Sequence, residues 1–254
     1  MRALPQGTPT EIKHGGCVPD DEKIENKPRR CKSGNIERGI VMVDAAKAKE
    51  EFLTICHARI HRDGFDEFME WLQTTDFFEA PASSKYHLNV PGGLCQHSIN
   101  VYKRLYKFLY NEYGGDCNGY SKETIALVSL FHDLCKTNFY KIGWKNQKTY
   151  DPETVQNALP RERKRDAAGD FIWETVPCYT VEEDFIYGHG EKSVFLLMQY
   201  IMLSPEEAQA IRFHMGSWNS EEARNAGDCW GKNPLAFFLH FADESATFID
   251  EVEA

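Results

Sequence analysis

The segment from Lys122 to Lys136, KETIALVSLFHDLCK, constrains the fold more than any other part of the sequence. It is apolar nearly all round, as expected of a helix at the centre of a helical protein. In a helix its polar residues at i, i+3, i+4 and i+7 share one face. These residues are Ser129, His132, Asp133 and Lys136. Burying such groups together is costly unless a bound ion compensates, so the segment predicts a buried helix with a functional site.

Composition bounds the class of protein. The 254 residues are 42% hydrophobic, which is enough to bury one sizeable core, and the net charge of −10 argues against a broadly basic, phosphate-tracking surface. No apolar run approaches the length of a membrane-spanning helix, and the first residues lack the apolar core of a signal peptide. The eight cysteines are scattered, without a CxxC pair. We expect reduced thiols, no membrane segment and a cytoplasmic location.

The chain divides into two parts. Residues 1–38 are rich in Pro, Gly and charge and lack apolar periodicity, which predicts a polar tail or arm. Residues 39–254 predict one mostly α-helical catalytic domain. Between about residues 140 and 184, FYKIGW and FIWETVPCYTV resemble strands and predict a small β-hairpin-like insertion.

Four further stretches have helical patterns and carry inward-facing polar residues. His97 lies three residues after Leu94, in a helix predicted to begin near that residue. Helices are also predicted from His189 through EKSVFLLMQYIML, and from the Ser204 capping box to His214 in the last turn. The final helix starts at Asn233-Pro234 and places Asp243 beside its apolar stripe. That stripe is Leu235, Leu239, Ala242, Ala246 and Ile249.

The inward-facing imidazoles and carboxylates form a candidate ligand set. Both groups suit divalent iron, manganese, nickel, cobalt or zinc. The set consists of His97, His132, Asp133, His189, His214 and Asp243.

The order of these motifs resembles a known family. GGLCQHS, HDLCK, the single histidines 189 and 214, and FADESAT resemble the H…HD…H…H…D motif of the HD-domain superfamily, over about residues 77–251. The resemblance implies an HD-domain helical bundle. It further implies two metals: one held by His97, His132, Asp133 and Asp243, and a second held by Asp133, His189 and His214.

The resemblance also implies a mechanism. Two cations that share Asp133 can share a water whose pKa falls far enough to give hydroxide, which can attack phosphorus. Lys136, one turn after the HD pair, would neutralise a phosphate oxygen as charge develops. Single-metal members often have a glutamate shortly after HD, where this chain has Cys135-Lys136-Thr137, which favours two metals. FHMG at His214 and the lack of a GYP motif argue against the HD-GYP type.

Three classes of function remain open. The first is a phosphohydrolase or phosphodiesterase that acts on a small-molecule phosphate ester, a nucleotide, a cyclic nucleotide or a single-stranded oligonucleotide end. The alternative is an HD-type mixed-valent di-iron oxygenase acting on a small molecule, because some such proteins also have a lysine after HD. The third is a binding or sensing module with a vestigial metal site. The sequence leaves the substrate, the native metal and the oligomeric state open.

Several other residues are weaker candidates for a role in the site. We expect His240, three residues before Asp243, to be structural. Two aromatics near the candidate histidines, Tyr187 and Trp218, could stack on a base or pack in the core. We expect His14, His57, His61 and His87 to be surface or local hydrogen-bonding residues, although the loop that carries His87 could also bring it to the pocket. We expect the basic cluster Arg161, Arg163, Lys164 and Arg165 to be solvated, with contact to a nucleotide or a nucleic-acid backbone as the alternative.

Overall fold

The helices carry most of the fold in a computed structural model that describes residues 42–183, 185–216 and 220–252. They are α1 (Ala45–Arg59), α2 (Phe65–Gln73), α3 (Gly93–Tyr113), α4 (Lys122–Leu130), α5 (Pro152–Asn157), α6 (His189–Leu197), α7 (Pro205–Arg212), α8 (Ser220–Trp230) and α9 (Pro234–Ser245). The strands are β1 (Tyr140–Thr149), β2 (Lys164–Asp166) and β3 (Gly169–Val181). The prediction of a mostly α-helical chain is confirmed, while the predicted tail 1–38, His14 and Trp218 lie outside the described residues.

Several of the core helices have an N-cap residue whose side chain accepts a hydrogen bond from the first turn. Asp44 accepts a hydrogen bond from the backbone of the first turn of α1 at 3.1 Å, and Ser121 caps α4 in the same way at 2.9 Å. Ser204 and Glu207 form the predicted capping box of α7, and Asn233 caps α9. Each cap satisfies backbone N–H groups that have no partner inside the helix.

The core lies where α3 packs against α1, α4 and α9. Phe131, directly after α4, makes edge-to-face contacts with Phe52 of α1 and Phe68 of α2, with ring centroids 5.7 and 4.9 Å apart. All three rings are fully buried. Because Phe131 immediately precedes His132, these contacts fix the start of the turn that carries the His132-Asp133 pair.

The insertion is a three-stranded antiparallel sheet of order β1-β3-β2. β1 pairs with β3 from Tyr140↔Val181 to Thr149↔Ile172. This confirms the predicted hairpin, although α5 and β2 within it were not predicted. Its exposed side chains include Ile142 and Trp144, so the sheet is solvated over much of its surface.

The predicted helix 122–136 is wrong in its second half, because α4 ends at Leu130. The Nδ1–H of His132 donates to the Ser129 carbonyl at 2.7 Å, where the backbone N–H of Asp133 would donate in a continuous helix. Asp133 then precedes a single 3-10 turn, Leu134–Lys136. The polar residues therefore lie in a tight turn at the end of a buried helix.

The final helix also departs from the predicted periodicity. A π-helical turn, Ala246–Asp250, follows α9 and is closed by a hydrogen bond from the Glu251 N–H to the Ala246 carbonyl at 3.1 Å. A π turn holds one residue more than an α turn and shifts the buried face by one position. Ile249, predicted inside, is exposed, whereas Glu251 is buried.

Two helix ends are earlier than predicted. α6 stops at Leu197 and does not continue through the following apolar residues, and α7 stops at Arg212. His214 consequently lies in the turn after α7, before Gly216 with φ +74°. None of the helices in the described part of the chain has the length and apolar character needed to cross a membrane.

Candidate metal centre

The six predicted ligand residues come together at one place in the fold. His97 lies on α3, Asp243 on α9 and His189 at the first position of α6. The others lie in the turns after α4 and α7. The Nε2 atom of His97 is 3.1 Å from Oδ1 of Asp243, and that of His189 is 2.7 Å from Oδ1 of Asp133. Their side chains are buried apart from that of His189, which is 31% exposed.

Asp133 lies between two groups of imidazoles. Its Oδ1 atom is 2.7 Å from His189 Nε2 and 3.4 Å from His214 Nε2. Its Oδ2 atom is 3.6 Å from His97 Nε2 and 3.5 Å from His132 Nε2. The two oxygens of one carboxylate thus face different histidine pairs.

All four imidazoles direct Nε2 towards these carboxylates and have a neighbour at Nδ1, although the neighbour of His189, the Cys135 thiol, also lies 3.5 Å from its Nε2. The Nδ1 neighbours are the Ser129 carbonyl for His132 at 2.7 Å, the Ile211 carbonyl for His214 at 2.6 Å, the Cys135 thiol for His189 at 3.3 Å and the Glu251 carboxylate for His97 at 2.9 Å. A carbonyl or carboxylate oxygen can only accept, so Nδ1 carries the proton in those rings. In the neutral ring Nε2 then presents a lone pair to the centre.

Two contacts in the centre leave Nε2 atoms without an ordinary hydrogen-bond donor among the described residues. His97 Nε2 and His132 Nε2 lie 3.3 Å apart, a contact that requires either a proton on one of the two nitrogens or an ion between them. The buried Nε2 of His214 has no hydrogen-bond partner among the described residues. Convergent nitrogen lone pairs beside carboxylates are the donor set of a divalent transition metal, so the residues present fit such an ion.

Charges in the centre balance one another. Burial by itself would lower the pKa of His97, but Glu251 and Asp243 raise it to about 10, whereas burial lowers the pKa of His132 to about 4. Burial would raise the pKa of Asp133 and Asp243, but neighbouring cationic and donor groups hold both well below their ordinary value. Ionised carboxylates in a buried pocket need positive charge nearby, which His97 and Lys136 supply here and which a divalent ion in place of the His97 Nε2 proton would also supply.

Lys136 supplies one positive charge to the centre. Its Nζ atom lies 2.6 Å from Oδ2 of Asp133, and its side chain is 11% exposed. Burial opposes its charging, but Asp133 raises the pKa of Lys136 above its ordinary value, so the ammonium form persists. The side chain therefore lies beside the cluster.

Three residues beside the site were not among the predicted ligands, namely Glu251, Cys135 and His87. Glu251 accepts hydrogen bonds from His97 and from Asn100, and Cys135 lies beside His189. Burial raises the pKa of the Cys135 thiol to about 12. His87 does approach the pocket, because its ring centroid is 4.9 Å from that of His97. Glu251 follows the π turn, and no sequence pattern indicated that turn.

The remaining candidates make local contacts. His240 donates from Nδ1 to the His214 carbonyl at 2.6 Å and stacks on Trp230, in agreement with a structural role. Tyr187 stacks on Phe185, and Arg163 donates to the carbonyls of residues 156 and 158. His57 and His61 are exposed.

Comparison of the chain with protein-family models, with curated proteins and with solved structures gave no match.

Proposed function

We propose that this chain is a metal-dependent phosphohydrolase of the HD-domain type with a dinuclear centre. The observation that carries the proposal is the position of Asp133, whose Oδ1 faces His189 and His214 while its Oδ2 faces His97 and His132. A carboxylate between two sets of imidazoles suits two adjacent divalent cations. The helical fold and the order of the ligands along the chain support the HD-type assignment.

The geometry favours an uneven distribution of ligands. His97, His132 and Asp243 lie on the Oδ2 side of Asp133 and would hold one ion with it. His189 and His214 lie on the Oδ1 side and would hold the other. The donors suit iron, manganese, nickel, cobalt or zinc. Such ions supply Lewis acidity towards a phosphoryl oxygen and an acidified water.

Lys136 supports a phosphate ester as substrate. Its ammonium lies at the edge of the cluster, 2.6 Å from Asp133, where it can pair with an anionic oxygen that reaches the pocket. An ammonium cannot be a metal ligand, because it has no lone pair. We therefore assign Lys136 to the binding and neutralisation of a phosphate group, as on a nucleotide, a cyclic nucleotide or an oligonucleotide end.

The test is phosphate release by protein reconstituted separately with Mn²⁺, Fe²⁺, Co²⁺, Ni²⁺ and Zn²⁺. The substrates are p-nitrophenyl phosphate, its bis ester, nucleoside monophosphates, cyclic nucleotides and short oligonucleotides. We expect release that requires added metal, is unaffected by removal of O₂ and is abolished in Asp133→Asn. His57→Ala is the control, because His57 is an exposed histidine outside the cluster.

Two results would contradict the proposal. One is no turnover of any ester with any metal in protein that binds the metals and is folded by circular dichroism. The other is O₂ consumption with a mixed-valent di-iron EPR signal and no phosphate release, which would establish the oxygenase alternative.

A further inference from the structure

Glu251 is a buried carboxylate outside the six-residue cluster that nevertheless contacts it. It is 4% exposed and follows the π turn, which fixes its backbone through the hydrogen bond to Ala246. Its Oε1 accepts from His97 Nδ1 at 2.9 Å and from Asn100 Nδ2 at 2.9 Å. The carboxylate is therefore held between α3 and the end of α9.

Glu251 lies on the opposite side of the His97 ring from Asp243. Asp243 faces Nε2, whereas Glu251 faces Nδ1, and the two nitrogens of an imidazole point in divergent directions. Glu251 therefore cannot share with Asp243 an ion that is bound at Nε2. Its hydrogen bond with Nδ1 instead fixes the orientation and the tautomer of the His97 ring.

His97 differs from the other three imidazoles in this contact. The Nδ1 neighbours of His132, His214 and His189 are uncharged groups, namely two carbonyls and a thiol. A carboxylate acceptor fixes the tautomer of a histidine ligand and increases the basicity of its other nitrogen. His97 should consequently be the strongest nitrogen donor of the cluster.

We propose that Glu251 is a positioning residue of the metal centre, which locks His97 with its proton on Nδ1 and strengthens Nε2 as a ligand for the ion on the Asp243 side. The inference rests on the proposed metal-dependent function. It predicts that the two ions differ in their dependence on Glu251, because His189 and His214 do not contact it in the structure.

The experiment is titration of metal-free protein with Co²⁺, which reports both affinity and ligand field through its absorption bands. Glu251→Gln keeps the size of the side chain and a neutral acceptor, so we expect it to fold. We expect the affinity for one ion to fall by about 10- to 100-fold with altered Co²⁺ bands, and the affinity for the other to be unchanged.

Asp250→Asn is the matched control. Asp250 is the preceding residue and pairs with Arg104 of α3, so this variant also weakens the attachment of the C-terminal turn to α3. Its carboxylate does not contact His97, and we expect wild-type affinity for both ions. Wild-type Co²⁺ binding by Glu251→Gln, or equal weakening by both variants, would overturn the proposal.

The outcomes also separate this inference from the proposed function. If the wild-type protein binds Co²⁺ but hydrolyses no phosphate ester, the proposed function fails and the titration still decides the role of Glu251. If the wild-type protein binds no divalent metal under any condition, both proposals fail.

Discussion

Lys136 is the residue at which the proposed substrate binding can be separated from the proposed metal binding. Its ammonium contacts Oδ2 of Asp133 but offers no lone pair to an ion. In Lys136→Met we expect kcat/KM for a phosphate ester to fall by about 10²- to 10³-fold, the loss typical of one removed group that stabilises developing charge. Metal affinity should not fall, because a positive charge beside the ligands is removed. Steady-state kinetics and metal titration measure the two effects.

Lys192→Met is the control for this substitution. Lys192 is also a lysine with an 11% exposed side chain, and it pairs with Glu183. Its replacement therefore removes a comparable, largely buried charge that pairs with Glu183 and not with Asp133. Equal losses of kcat/KM in both variants would show that Lys136 acts through stability alone.

Single residues of the centre were predictable to different degrees. His132 and Asp133 interrupt an apolar segment, and His97 follows Leu94 at helical spacing, so local pattern indicated that they face inward. Glu251 was missed because its burial depends on a π turn that changes the phase of the final helix. The contact between His87 and His97 depends on a loop conformation, which periodicity does not specify.

Among the secondary-structure elements, α4 and α7 are connected by an ion network that lies away from the metal centre. Arg62, before α2, contacts Glu123 of α4 at 3.2 Å and Glu207 of α7 at 2.7 Å, and Thr124 donates to Glu207 at 2.9 Å. Burial would raise the pKa of Glu207, but these hydrogen bonds hold it below its ordinary value of 4.5. The ionised carboxylate therefore stabilises the folded state.

The pH dependence follows from that direction. Because the folded-state pKa of Glu207 is depressed, its contribution is fully present above pH 4.5 and is lost as the pH falls through the folded-state pKa. We expect Glu207→Gln to lower the free energy of unfolding by about 2 kcal/mol at pH 7, and by less at more acidic pH. Urea denaturation of both proteins at pH 7 and at a pH below 4.5 measures the difference in the free energy of unfolding.

Glu206→Gln is the matched control for Glu207. Glu206 lies in the same first turn of α7 but is exposed. Its replacement has the same effect on the charge near the helix N-terminus and should change stability by only a few tenths of a kcal/mol. A pH-independent loss in Glu207→Gln would contradict the assigned role of its ionised form.

The elements themselves were predictable where local signals were strong. Ser204 and Asn233 are side-chain caps, and the helix start predicted at each was correct. The end of α4 was not predictable, because it depends on a hydrogen bond from the His132 side chain to the Ser129 carbonyl, which takes the place of the helical backbone hydrogen bond. β2 is a short strand that pairs with β3, so its conformation depends on a neighbour and not on its own sequence pattern.

At the scale of the whole molecule, the centre connects parts of the chain that are distant in sequence. Its ligands come from α3, from the turns after α4 and α7, from α6 and from α9. Their burial brings carboxylates and imidazoles together at a free-energy cost that a bound cation would offset. Ion binding and folding should therefore be coupled, because the unfolded chain cannot keep these ligands together.

This coupling predicts thermal stabilisation by metal. At free metal about 100 times Kd, each ion bound to the folded state adds about 2.7 kcal/mol, so one ion alone should raise Tm by roughly 5–10 °C for a chain of this size. Differential scanning calorimetry of chelator-treated protein, with and without Mn²⁺ or Co²⁺, measures the rise. Asp133→Asn should lose most of it because Asp133 faces both histidine groups, whereas His57→Ala should keep it. An equal rise in Asp133→Asn would place the ion elsewhere, and no rise in the wild type would favour a binding module with a vestigial site.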